Sequence, residues 1–95
     1  MYLISCDLKL TENPGKLIKD LKNFFPDSEF EILEGKIIGD TDLKFFKSLC
    51  EKQQSELPLK ILSENKELKL DKIAMHDKKI EICEDFPLGC VVIKE

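Results

Sequence analysis

A chain of 95 residues, 42% hydrophobic and 36% charged and free of low-complexity runs, is long enough for one folded domain with its own core and falls outside the disordered class. Its 15 basic residues are all lysine and stand against 19 acidic ones, a formal net charge of -4 at pH 7, which counts against a dedicated nucleic-acid binder and removes the planar, bidentate guanidinium contact. No apolar run approaches the ~20 residues of a membrane helix and the N-terminus has no signal-peptide pattern, so a cytoplasmic protein with reduced cysteines and no membrane partner is expected.

Residues 2 to 10 alternate: Tyr2, Ile4, Cys6, Leu8 and Leu10 share one face, Ser5, Asp7 and Lys9 the other, and only Leu3 is out of step. That period of two predicts a half-buried strand. In "TENPGKLIKDLKNFFP" Asn13 is suited to cap a helix and Pro14 to open it, since its missing N–H has no partner to lose there. Leu17, Ile18, Leu21, Phe24 and Phe25 form one helical arc, and Pro26 ends it.

"EFEILEGKIIGD" predicts a hairpin, with Phe30 and Ile32 alternating against Glu29, Glu31 and Glu34, Gly35 in the turn, and Ile37 and Ile38 on the return strand. Thr41 or Asp42 is placed to cap a second helix whose apolar arc is Leu43, Phe45, Phe46, Leu49 and Cys50. Pro58 breaks it or opens a short third helix, "PLKILSEN". Three strands are expected to follow: "ELKLDKIAM", then "KKIEIC" after the polar turn "HDK", then "PLGCVVIKE".

The expected fold is one α+β domain over residues 1–95, an antiparallel sheet with helices packed on one face, in the order β-α-β-β-α(-α)-β-β-β.

The four cysteines contain no C-x-x-C pair and His76 is the only histidine, so no metal site and no cofactor are expected. Cys6 and Cys50 fall on apolar faces, where cysteine acts as a small hydrophobe; Cys83 and Cys90 are expected to be reduced neighbours in the sheet. His76-Asp77 has the composition of a turn. With no nucleophile motif, Gly-rich phosphate loop or paired carboxylates beside it, the chain is not expected to be an enzyme.

Lysine is the residue type with a pattern of its own. Lys16, Lys19 and Lys22 lie opposite the apolar arc of the first helix, diluted only by Asp20, and Lys44, Lys47 and Lys52 lie on the polar arc of the second, with Glu51. These six are the candidate RNA-binding residues, able to follow a phosphate backbone through point charges. The competing expectation is a protein-interaction module or homodimer that pairs sheet edges or uses the sheet face bearing Leu3 and Leu33.

Taken together, "TENPGKLIKDLKNFFP", "EFEILEGKIIGDTD", Gln53 or Gln54 after the second helix, the Leu-x-Lys-x-Ala pattern of Leu70, Lys72 and Ala74, and the closing Pro87, Leu88 and Gly89 follow one another in an order that resembles an archaeal family of small uncharacterised proteins, domain of unknown function fifty-four. The resemblance spans nearly the whole chain. It departs from the family pattern where an arginine- and alanine-rich segment after the second helix is replaced by "SELPLKILSEN". It implies a fold like that of ribosomal protein L-five and, as partner, RNA or a ribonucleoprotein such as the exosome.

Overall fold

Apolar side chains that alternate along a strand need cover on one side only, and here that cover comes from helices on a single face of the sheet. The computed structural model describes residues 1–9, 12–83 and 90–95, with Ile73 described by its backbone alone. The elements are β1 (Tyr2–Asp7), α1 (Pro14–Phe24), β2 (Phe30–Leu33), β3 (Lys36–Thr41), α2 (Lys44–Lys52), α3 (Leu57–Asn65), β4 (Glu67–Asp71), α4 (Lys72–His76) and β5 (Cys90–Lys94). The strands lie in the order β2-β3-β1-β5-β4, and every neighbouring pair is antiparallel.

Register shows which face is which. Ile4 lies opposite Gly39 on β3 and Ile93 on β5, and Cys6 opposite Ile37 and Val91. Leu68 and Leu70 of β4 continue these rows. All are buried with Leu17, Leu21, Phe24, Phe25, Leu43, Phe46, Cys50 and Leu62 of the covering layer. The opposite face carries Leu3, Ser5, Ile38, Val92, Asp40 and Lys69, none of them buried. Leu3 and Leu33 share that open face, and both are exposed.

Local signals in the chain explain most boundaries. Asn13 caps α1, its Oδ1 accepting from the N–H groups of Gly15 and Lys16 at 2.9 and 3.3 Å, and Pro14 takes the first turn. Ahead of α2, Thr41 Oγ1 accepts from Leu43 N–H at 3.1 Å and Asp42 Oδ1 from Lys44 N–H at 3.0 Å. Leu43, fully buried, sits between them at φ 65, a left-handed conformation that leucine rarely adopts. The cap position of α2 is Leu43 rather than the expected Thr41 or Asp42, and its own side chain makes no capping hydrogen bond. Phe45, expected on the buried arc, is instead exposed, while Phe46 and Cys50 turn inward.

Three expectations for the C-terminal third need correction. "ELKLDKIAM" is not one strand: β4 ends at Asp71, whose Oδ1 accepts from Ala74 N–H at 3.4 Å, the bond of a helix cap, and α4 follows. "KKIEIC" forms no strand; it meets β4 through a single Leu70–Ile82 bridge, with Asp71 N–H donating to Glu81 O at 2.8 Å and Cys83 N–H to Lys69 O at 3.0 Å. Cys83 and Cys90 are not reduced neighbours but are joined by a disulfide, their Cα atoms 5.8 Å apart, within the range such a bond spans. Pro87, Leu88 and Gly89, which close the family pattern, lie outside the described residues.

Gly39 shows how tightly the β2–β3 corner is built. A Cβ there would stand 2.6 and 2.8 Å from Phe30 Cδ1 and Cε1 and 2.9 Å from the backbone oxygen of Glu29. The ring could swing away, but the carbonyl cannot move without disturbing the hairpin. Gly39→Ala is therefore expected to destabilise by about 1–3 kcal/mol, read as a lower urea midpoint with an unchanged slope.

Candidate functional site: the α1 lysine face and the Lys72 cleft

Two polar features flank α1. Lys16, Lys19 and Lys22 of α1 are all exposed, Lys16 also lining the cleft beside α4, and among the described residues none of them forms an ion pair. Successive members are three residues apart, a rise of about 4.5 Å per step along one side of the helix. Lys44, Lys47 and Lys52 on α2 are exposed as well, and Lys44 makes a loose 3.9 Å pair with Asp42.

On its inner side α1 meets α4 across an open cleft of about 300 Å³ lined by Glu12, Asn13, Lys16, Asp20, Lys72 and His76, with Leu17 in its floor. The residues that build it are distant in sequence. Lys72 Nζ donates to both carboxylate oxygens of Glu12, at 2.9 and 3.0 Å, and to Asp7 O at 2.8 Å. An ammonium has three protons, and here three acceptors take them. Its charge is thus spent in tying the β4–α4 junction to the end of β1 and the start of α1.

Glu12 is held from both sides. Partial burial alone would raise its pKa, but the hydrogen bonds from Lys72 and from Lys9 N–H, with the Lys72 charge, outweigh it and keep the carboxyl below its ordinary value. Beneath Lys72 lies Cys6, where burial pushes the thiol up to about 11 against the opposing pull of the ammonium. Cys50 is likewise pushed up to about 11 by burial. Neither thiol is a thiolate near neutral pH, so both serve as packing.

The second pair in the cleft is His76 with Asp20, Nδ1 to Oδ2 at 3.1 Å. An ionised carboxylate only accepts, so Nδ1 carries the proton and donates it. Asp20 is the only carboxylate on α1, and its side chain, 19% exposed, is turned toward His76. His76 therefore closes α4 and orders the acid that interrupts the lysine face. The turn expected at "HDK" between two strands is instead the end of α4: His76 belongs to the helix, and Asp77 and Lys78 turn the chain after it, their N–H groups donating back to Ala74 and Met75 carbonyls. Among the described residues, no hydroxyl or thiol lines the cleft beside this pair. Among the described residues no group of three or more His, Cys, Asp or Glu side chains is placed to hold a metal ion.

Gln53, at the end of α2, pins the far side of the cleft's wall. Its Nε2 donates to Lys78 O at 3.0 Å and its Oε1 accepts from Ile80 N–H at 3.3 Å, which secures the chain leaving α4.

No family model and no curated protein matches the sequence. Solved structures do. An uncharacterised UPF0201 protein superposes with a TM-score of 0.79 at 27% identity, over 99% of this chain and 80% of its own. The fold is that of the UPF0201/DUF54 proteins. A UPF0201 protein from Methanococcus jannaschii matches with a TM-score of 0.77 at 20% identity, over 98% of this chain and 85% of its own. A DUF54 protein from Archaeoglobus fulgidus matches at 0.71 and 18% identity, over 98% and 82%.

Seen on the DUF54-like fold, the Leu-x-Lys-x-Ala pattern marks the strand-to-helix junction that supports the cleft. Leu70 is core in β4, Lys72 is the tie to Glu12, and Ala74 is buried in α4. Sequence reasoning placed all three on one strand, did not single out Glu12, and saw Asp20 only as a break in the lysine face and His76 only as part of a turn, not as a pair. The one available pointer to the cleft was Lys72 itself, a lysine in an otherwise apolar alternation. No helix among the described residues is long and apolar enough to cross a membrane.

Proposed function

We propose that the chain is a divergent DUF54 protein that acts in the cytosol as a nonenzymatic RNA-binding domain, and that the contact surface is the Lys16, Lys19 and Lys22 face of α1. Lys44, Lys47 and Lys52 of α2 are its secondary contacts. The observation that carries this reading is the disposition of Asp20. The only acid on α1 faces His76 in the cleft, so the exposed side of the helix presents three lysines unpaired among the described residues, on a protein whose total charge is negative.

Lysines recognise phosphate as point charges, without the fixed fork that reads base edges. The expected binding is accordingly weak, indifferent to sequence, and dominated by the backbone. A fluorescent single-stranded RNA titrated at low salt tests it. K16E/K19E/K22E, three exposed positions, should leave the circular dichroism spectrum unchanged and weaken binding by roughly tenfold or more. Equal affinity of the two proteins would refute the assignment.

A further inference from the structure

The two edges of the sheet are treated differently by the rest of the chain. The outer side of β4 is met by residues 81–83, through the Asp71–Glu81 and Lys69–Cys83 backbone hydrogen bonds and the Leu70–Ile82 bridge. The outer edge of β2 pairs with no other strand among the described residues, its strand neighbour being β3. An antiparallel edge strand turns alternate N–H and C=O groups outward, a template for one more strand.

The side chains along β2 narrow down what that strand is. Leu33 pairs with Lys36 and Glu31 with Ile38, both on the open face, so Glu31 and Leu33 point to the open face and Phe30 and Ile32 to the helix side, with Glu29 just before the strand and Glu34 in the turn after it. Glu29, Glu31 and Glu34 are exposed, and none forms an ion pair among the described residues. Ile32 and Leu33 are 53% and 49% exposed, although each lies in a formed strand. We infer that the outer edge of β2 accepts an extended, basic segment of a partner protein as a sixth strand. The segment alternates lysine or arginine, set beside Glu31 on the open face and near Glu29 at the strand's start, with an apolar residue set beside Ile32 on the other.

A second copy of this chain does not suit the same edge. Two β2 strands related by a twofold axis run antiparallel and bring Glu31 of each copy together, with Glu29 and Glu34 flanking each strand, so that like charges oppose pairing. The glutamates thus disfavour self-pairing and favour a basic strand, in keeping with β-strand addition, where backbone bonds give affinity and alternate side chains give specificity. This edge is separate from the lysine face of α1, so the two assignments stand or fall independently.

The probe is the peptide acetyl-Lys-Ile-Lys-Val-Lys-Ile-Lys-amide, titrated into the isotope-labelled protein and followed by amide chemical shifts. A control peptide has the same charges but proline at its central apolar position. The lysine peptide is expected to move the amides of residues 29–34 and their β3 partners, the proline peptide to bind at least several-fold more weakly because it cannot complete the ladder, and E29K/E31K to weaken the lysine peptide at least tenfold. Equal binding of both peptides would reduce the contact to unspecific charge attraction and overturn the inference. So would shifts centred away from β2, indifference to E29K/E31K, absence of binding at low salt, or sedimentation showing a dimer that E29K/E31K alters.

Discussion

Replacing Lys72 by methionine is expected to cost about 2–4 kcal/mol, a large part of the roughly 5–15 kcal/mol that holds a domain of this size. Methionine fills much of the same volume, so the loss is electrostatic rather than a cavity. The Lys72 side chain is 10% exposed and that of Glu12 25%, and removing the ammonium leaves a partly buried carboxylate and the Asp7 carbonyl without their shared donor. Glu12→Gln is milder, since an amide oxygen still accepts one bond and Lys72 keeps Asp7.

The effect has a definite pH dependence. A carboxyl whose pKa is lowered by folding adds stability above its unfolded value, and that stability is lost as pH falls through the lower folded value. For Glu12 the ordinary value is 4.5. The deficit of Lys72→Met relative to the parent should therefore be full at neutral pH and narrow only as pH falls below the ordinary value of 4.5 and through the lower folded value, where Glu12 becomes protonated in the parent as well. Urea denaturation of both proteins at a series of pH values checks this; a deficit that persists unchanged in acid would show that Lys72 acts by packing alone.

Phe46→Ala is expected to cost more, about 3–5 kcal/mol. Phe46 has no exposed surface and its ring lies 6.3 Å from that of Phe24 and 5.5 Å from that of Phe25, centre to centre, so the three rings join α2 to the end of α1 over the sheet. Truncation removes the middle of that cluster and leaves a cavity that neighbours on three elements cannot all collapse into. Thermal unfolding should shift down by roughly 15–30 °C for a chain of this length. Phe45→Ala, one residue away on the exposed side, should shift it little, and a comparable loss at both positions would contradict the assignment of Phe46 as the buried one.

What was legible in the sequence was what short-range pattern encodes. The alternation of Ile4 and Cys6, the Asn13-Pro14 start, the Gly35 turn at φ 69 and the apolar run of Val91, Val92 and Ile93 each specify a local conformation, and the structure has those conformations. The α4 helix was missed because Leu68 and Leu70 set a period of two that Lys72 and Ala74 continue in phase. Asp71, acting as a cap, breaks the strand there, and a single capping residue is a weak signal against four alternating positions.

The cleft was illegible for a different reason. Glu12 meets Lys72 across 60 residues of chain and Asp20 meets His76 across 56, so no window of sequence contains either pair. Pairing of this kind follows from which strands become neighbours. The antiparallel insertion of β5 between β1 and β4 is what brings the Asp7–Glu12 and Asp71–His76 regions together. The lysine face needed no such information, being a property of one helix, but the position of Asp20 within it did.

The dependence of RNA affinity on salt addresses the central assignment most directly. Three lysine–phosphate contacts to single-stranded RNA contribute about -2 to the slope of log affinity against log salt concentration, and K16E/K19E/K22E should shrink the slope by about that amount, leaving only what the α2 lysines add. An unchanged slope in the triple variant, or no binding by the parent protein at low salt, would contradict RNA recognition through α1.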